Sequence, residues 1–375
     1  MKQCAVMVIV LVLAAGCATT GGKHSMDPKE EAAAKLAAAN ALAAERAAAE
    51  AGKGGFSIGF PSWLKPAAIS KVPFRWCWLM YILAFVTAFV LYRHQVRERR
   101  FPLNNSQLYS MFAWTILWML LGARIFYAIV YETGAIYRGK PWLHFSPFEK
   151  GKFVGFKMSY HGGAIAAFLA VFVFAKVRRF NFKELGDMFA ASVPLGYAFG
   201  RLGDFLNGEL YGIVTTGPLG MVFPRARPLS TSEAWVREAA AKTGAAISGG
   251  QVNLPRHPSQ LYEMLFEGII LWLIIWFFRN RKPFKGFLIG LYCMGYGLFR
   301  FFIEYFREPD AWLRYPLQLV KTTLSPARAH PLLSFSTGQI LCFLMIIFGV
   351  VWTIVCSRAP ARKPGEGQGA PRRTK

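Results

Sequence analysis

The chain has 375 residues, 54% of them hydrophobic and only 17% charged, with a mean hydropathy of +0.31 and a net charge of +24. A soluble domain of this size carries more charge and does not gather its apolar residues into long blocks, as this chain does. The excess Lys and Arg fall in short runs between those blocks, which is the pattern of loops on a membrane protein and excludes a basic nucleic-acid-binding face, so no nucleic-acid partner is expected.

Residues 1–17 (MKQCAVMVIVLVLAAGC) place Lys2 before an apolar stretch too short to span a bilayer, then small residues before Cys17. This predicts a lipoprotein-type signal peptide, with Cys17 as a possible lipidation site. Ala14 stands where a larger aliphatic residue is usual, and Met26 is an alternative start. Residues 18–66 read as a spacer and linker, Ala-rich and helical over 28–51. The body, 67–357, contains apolar blocks near the ~20 residues that cross a bilayer, at 75–92, 107–131, 161–176, 185–205, 260–278, 286–306 and 337–356. A basic tail, 358–375, closes the chain. The expected fold is all-α: a polytopic membrane protein of about seven transmembrane helices with an outer-face, periplasmic loop domain.

Basic residues follow alternate spans: Arg93, Arg97, Arg99 and Arg100; Lys176, Arg178, Arg179 and Lys183; Arg279, Arg281, Lys282 and Lys285; and the tail from Arg358. The positive-inside rule puts these in the cytoplasm, hence the N-terminus outside the cytoplasmic (inner) membrane and the C-terminus inside. The outer loops are then 132–160, 212–259 and 307–336, with a short helix predicted over 232–244. The six cysteines (Cys4, Cys17, Cys77, Cys293, Cys342, Cys356) lack paired or metal-type spacing, so no disulfide framework and no metal site are expected.

A charge within a span costs at least ~2.5–3.5 kcal/mol at mid-bilayer and therefore marks function. Four clusters stand at the outer ends of spans: Tyr160-His161-Gly162-Gly163; Gly200 to Gly212 with Arg201, Asp204, Asn207 and Glu209; His257 to Glu263 with Glu267; and Arg300, Glu304, Arg307 and Glu308. A histidine at such a place suits a general base or an interfacial hydrogen bond, paired glycines permit close approach to a ligand or another helix, and arginine forks suit phosphate. Arg201 and Asp204, and Arg300 and Glu304, have the spacing of helix-face pairs. Together they describe a polar cavity for an anionic lipid headgroup. Transport of an anionic solute and a non-catalytic lipid or signal-peptide receptor are the other readings. Transport is disfavoured by the missing inner set of charges and by the lack of an inverted repeat.

FRWCWLMY (74–81), YHGG (160–163), GRLGDFLNGELYG (200–212), HPSQLYE (257–263) and RFFIEYFREPD (300–310) resemble, in order, the motifs of bacterial prolipoprotein diacylglyceryl transferases. The resemblance implies transfer of the diacylglyceryl group of phosphatidylglycerol to the lipobox cysteine of preprolipoproteins. A thioether forms and glycerol phosphate leaves, as the first step of lipoprotein maturation, with no cofactor. It further implies that Arg201 and Arg300 hold the phosphate and that His161 is the candidate base, or a binding residue. Tyr81, Gly162, Asn207, Glu209, Glu263 and Glu304 would line the cavity or orient the arginines, and Gly212 would follow the signature turn; Arg307, by its place at the surface, either meets phosphate or headgroup or snorkels to the interface. Two features depart from the pattern: Asp204 stands where Asn is usual, and the outer loop around 224–254 is long.

Overall fold

Inside a bilayer every backbone N–H and C=O must find a partner within the protein, so uninterrupted apolar blocks fold as helices. The computed structural model describes residues 58–61, 76–131, 148–149, 152–153, 160–308, 317–318, 327 and 334–358; the leader with Cys17, the Ala-rich spacer and the basic tail from 359 lie outside the described residues.

In chain order the elements are β1 (Ile58–Gly59), α1 (Trp76–Glu98), α2 (Asn105–Tyr131), β2 (Phe148–Glu149), β3 (Lys152–Phe153), α3 (Tyr160–Val177), α4 (Phe182–Ala190) and α5 (Val193–Leu206). There follow β4 (Met221–Val222), β5 (Leu229–Ser230), α6 (Ala234–Thr243), β6 (Gln251–Val252), α7 (Ser259–Phe278), α8 (Phe287–Ile303, extended by a tight turn at Glu304–Phe306), β7 (Leu317–Gln318), β8 (Ser334–Phe335) and α9 (Thr337–Arg358). Among the described residues five helices, α1, α2, α7, α8 with its final turn, and α9, are long and apolar enough to cross a membrane; α3 is shorter, apolar over Gly162–Val177. With the α4–α5 pair they occupy the seven predicted blocks, in a multi-pass membrane protein. The faces not packed in the bundle are apolar: Trp114, Leu117, Trp118, Leu121 and Ile125 line one side of α2, and Phe343, Leu344, Ile347, Val351 and Val355 one side of α9. These are surfaces for lipid tails.

One expectation is corrected. The block at 185–205 is not a single helix but two, broken at Ala191–Ser192. Pro194, in the first turn of α5, has no N–H to continue the ladder. The groups freed at the break are met inside the bundle: fully buried Gln95 of α1 donates from Nε2 to Met188 O (3.1 Å) and to Ser192 Oγ (2.9 Å).

Helices α2 and α3 meet backbone to backbone. A Cβ on Gly162 would stand 2.4 Å from Gly122 O and 2.3 Å from Phe126 Cβ, a contact only glycine allows. Gly162 therefore joins helices, one of the two possibilities its sequence left open. At the other end of α3, Val171 and Ala175 share a core with Tyr92, Met111, Leu185 and Met188. Helix α1 thus turns its C-terminal half toward the start of α2, so the start of α1, the end of α2, the start of α3 and the end of α5 lie at one end of the bundle. The basic runs lie at the opposite end, after α1, α3 and α7. There Asp187 accepts backbone N–H groups from Gly286 (2.9 Å), Leu288 (3.0 Å) and Ile289 (3.2 Å) at the start of α8, and Lys282 Nζ at 2.8 Å.

The long loop 212–259 is a folded head. Val214, Val236, Ala239, Ala240, Val252 and Leu254 form its core, β5 pairs antiparallel with β6, and α6 fills the predicted 232–244 helix. Its C-cap, Gly244, has φ +67, as a left-handed cap requires. Strand β1 joins β4 in parallel, and Phe60 enters a second cluster with Phe205, Met221 and Phe223. Residues 58–60 are therefore anchored on the head, at the same end of the bundle as the charge clusters.

Candidate functional site

Three motifs converge where α5 ends, α7 begins and α8 ends. Helix α5 supplies Tyr197, Arg201 and Asp204; α7 supplies Glu263 and Glu267; α8 and its final turn supply Arg300, Glu304 and then Arg307. The helices can approach because Gly268 of α7 faces Ala198 of α5, where a Cβ would stand 2.6 Å from the alanine Cβ and 2.9 Å from its Cα.

Glu263 is the hub and is fully buried. Its Oε2 lies 2.6 Å from Arg201 Nε; its Oε1 lies 2.8 Å from Arg300 Nη1 and 3.1 Å from Arg307 Nη1. Arg201 Nη1 also donates to Asp204 Oδ2 at 2.9 Å, so the departure from the usual Asn makes an ion pair with the arginine it follows. Arg300 Nη2 reaches Glu304 Oε2 at 2.9 Å, the expected one-turn pair, and Ser336 Oγ at the start of α9 donates to Glu304 Oε1 at 3.1 Å. Glu267, also fully buried, accepts from Tyr197 Oη at 2.6 Å and lies 3.8 Å from Arg300 Nη1. Glu267 lies within the stretch Met264–Ile270, where α7 loosens into a π-helix, a departure common at functional sites.

The turn after α5 ties the motifs together. Gly208 (φ +66) and Leu210 (φ +59) take left-handed backbone, and the bend brings Glu209 O to Gln260 Nε2 (2.5 Å) and Leu210 O to Ser259 Oγ (3.1 Å). The GRLGDFLNGELYG and HPSQLYE segments are thereby hydrogen-bonded to one another. Gly212 donates its N–H to His257 O (2.8 Å) and bridges to Arg307, whose backbone it holds beside the cluster. Asn207 is buried, and its side-chain oxygen meets no hydrogen-bond donor among the described residues. The Glu209 side chain stands 3.5 Å from Arg225. Tyr81 of α1 sits beside Gly200, its Cε1 3.8 Å from where a Cβ would be. The His161 backbone is in the first turn of α3, at the same end of the bundle, and its side chain lies outside the described residues.

Four participants escaped sequence reading. Tyr197 stands one turn before Arg201, a spacing that could have signalled a shared face. Ser336 and Arg225 come from loops whose approach no local pattern encodes. Arg256 is 1% exposed, reaches Glu308 at 2.5 Å and lies over Tyr211 with its Cζ 4.8 Å from the ring centroid; an arginine directly preceding HPSQLYE was its only signal. Nearby, His257 Nδ1 lies 3.2 Å from Tyr262 Oη, and burial holds its imidazole below the ordinary range.

In this water-poor setting three guanidinium groups from two elements converge on one anionic centre, where Coulombic attraction is far stronger than at a surface. Arginine forks recognise a tetrahedral oxyanion through several directed N–H donors at once. The arrangement is suited to holding a phosphate ester and taking up charge that develops on it.

The family model described as prolipoprotein diacylglyceryl transferase matches residues 66–355. Among curated relatives, the phosphatidylglycerol–prolipoprotein diacylglyceryl transferase of Treponema pallidum (strain Nichols) is 47% identical over 318 residues, 78% of this chain and 93% of the relative. The protein of that name from Treponema denticola is 47% identical over 312 residues (78% and 92%), and that from Chlorobaculum tepidum 38% over 309 residues (78% and 91%).

Proposed function

The chain belongs to the prolipoprotein diacylglyceryl transferase family, and from that membership we propose how its buried arginine cluster carries out the transfer. The reaction moves the diacylglyceryl group of phosphatidylglycerol to a preprolipoprotein; the acceptor is the lipobox cysteine in its signal peptide. The thiolate sulfur attacks the terminal glyceryl carbon of the diacylglycerol moiety, an S–C bond forms and the C–O bond to phosphorus breaks. The bonding pair stays on the phosphate oxygen, so glycerol phosphate departs with one more negative charge than the diester carried. The thiol proton goes to a base.

The observation that carries this assignment of roles is the convergence of Arg201, Arg300 and Arg307 on Glu263. Arg201 and Arg300 bind the phosphate and stabilise the charge that grows on it as the C–O bond breaks, and stabilisation that strengthens in the transition state lowers the barrier. Arg307 meets the headgroup. Glu263 and Glu304 orient the guanidinium groups, and Asp204 steadies Arg201. Asn207, with its buried unpartnered oxygen, accepts a glycerol hydroxyl; Tyr81, Glu209 and Gly212 border the cavity. We assign the thiol proton to His161, placed in the first turn of α3. A free thiol has a pKa of ~8.5, so a base or a positive field is needed for it to react.

The same geometry supports an orientation in the bacterial inner membrane. The basic runs after α1, α3 and α7, with Arg358 at the close of α9, gather at the end away from the site, which is the cytoplasmic side by the positive-inside rule. The head, the arginine cluster and the segment anchored by β1 then face the periplasm, where an exported lipobox peptide meets outer-leaflet lipid.

The deciding experiment reconstitutes the full chain in phosphatidylglycerol vesicles with a lipobox peptide and weighs the product. A gain of one diacylglyceryl group that disappears with Arg300→Ala, in a protein that still unfolds cooperatively, supports the reading. Well-folded wild-type protein that leaves the peptide unmodified overturns it.

A further inference from the structure

We propose that Tyr197 is a positioning residue for the transfer, aiming Arg201 at the phosphate without itself touching substrate; this rests on the assignment of Arg201 to the phosphate. The phenol oxygen accepts from Arg201 Nε at 2.7 Å and donates its only proton to Glu267 Oε2 at 2.6 Å. Glu263 Oε2 is the more distant acceptor, at 3.3 Å. A hydroxyl can do both at once because it carries one donor and two acceptor sites.

The ring is held as firmly as the hydroxyl. The Arg201 Cζ lies 4.9 Å from the Tyr197 ring centroid, and Tyr296 of α8 meets the ring edge to face at 5.8 Å and 83°. The Gly268–Ala198 contact presses α7 against α5 beside it, so Glu267 is kept in reach.

Charge explains why a phenol stands here. Arg201 already faces two carboxylates, Glu263 and Asp204. A third carboxylate would orient the guanidinium equally well but would add negative charge where a phosphate must enter. Tyr197 fixes direction without adding charge. The described hydrogen bonds of Arg201 use Nε and Nη1, and none among the described residues uses Nη2. Nη2 is therefore the amino group presented to the phosphate oxygen on which charge develops.

The test compares Tyr197→Phe with wild type in the reconstituted assay. Phenylalanine keeps the ring, the contact with Tyr296 and the shape of the site, so a residue that only packs would be replaced without loss. The expected result is a kcat lowered about tenfold with the KM for phosphatidylglycerol within about twofold, the signature of an interaction used in the transition state. Wild-type kcat, or a rise in KM alone, overturns the inference while transfer by the wild type leaves the function standing. Glu267→Gln, which leaves the tyrosine in place, gives the second measurement and decides the matter should Tyr197→Phe not fold. A lowered kcat at constant KM supports the inference, and wild-type kinetics oppose it. The double variant should lose no more than the weaker single variant, because both break one hydrogen-bonded chain; losses that multiply indicate separate roles and overturn it.

Discussion

Arg201 and Arg300 grip opposite oxygens of one carboxylate: Nε of the first lies 2.6 Å from Glu263 Oε2, and Nη1 of the second 2.8 Å from Glu263 Oε1. The two arginines are 99 positions apart on α5 and α8, so Glu263 of α7 sets their separation. A buried ion-pair network contributes little net stability but fixes geometry, and removing one partner leaves the others buried and uncompensated.

Glu263→Gln tests that dependence. Glutamine preserves size and one acceptor, yet it leaves three guanidinium groups facing each other across a low-dielectric site. Transfer should fall at least ~100-fold, and the fold should lose about 3–5 kcal/mol, the usual consequence of breaking a buried pair. Thermal unfolding in detergent, run beside the peptide-mass assay, measures both. A variant as active as wild type would show that the arginines hold their places without the hub.

Asp204→Asn isolates the departure from the usual motif. In place the carboxylate lies 2.9 Å from Arg201 Nη1, where, on the proposed role of that arginine, it would compete with an incoming phosphate for the same cation. Neutralising it keeps an acceptor and removes the competing charge, so the KM for phosphatidylglycerol should fall about twofold to fivefold, as an unscreened like charge is withdrawn. A KM that rises would mean that Asp204 matters more as a strut for Arg201.

The comparison of sequence with structure separates two kinds of information. Apolar blocks and Lys/Arg runs fix which segments lie in the membrane because the cost of burying unpaired backbone and charge is a local property of each segment. For the same reason Arg201, Glu263, Arg300 and Glu304 stand out: a charge in an apolar block is conspicuous without its partner. Tyr197 and Ser336 are not conspicuous, since a tyrosine or serine costs little wherever it falls, and only the meeting of α5 with α7, and of α8 with the start of α9, gives them partners. The break at Ala191–Ser192 hid for a related reason. Pro194 signals it, but the apolar run continues through the break, and Gln95 of another helix makes the break tolerable. The outer loop domain and its helix are legible in the sequence, but the packing inside the head is not, because its core is assembled from residues such as Val214 and Val252 that lie far apart in sequence.

His257 makes a prediction about acidity. It lies just ahead of α7, and burial lowers its pKa from 6.5. The unfolded chain therefore binds this proton more readily than the folded one, so the neutral ring favours folding above about pH 6.5 and stability declines as pH falls through the folded value. Unfolding midpoints measured from pH 7.5 down to about 5 should decline, and His257→Gln should flatten that decline. An unchanged slope would place the sensitivity elsewhere.

Asp187→Ala probes the far end of the bundle, where stability and chemistry are separable. The buried carboxylate accepts three N–H groups that open α8, at Gly286, Leu288 and Ile289, and pairs with Lys282. Alanine leaves those donors and the ammonium without it, so unfolding free energy should drop by about 3–5 kcal/mol and the midpoint with it. Arg300 sits thirteen residues along the same helix from Phe287, about 20 Å at 1.5 Å per residue. The protein that remains folded at low temperature should therefore keep kcat within about threefold of wild type, since additive behaviour is the rule for sites more than ~10 Å apart. A large loss of kcat with an unchanged midpoint would instead mean that the start of α8 sets the position of Arg300, and that the arginine cluster is tuned from both ends of the helix.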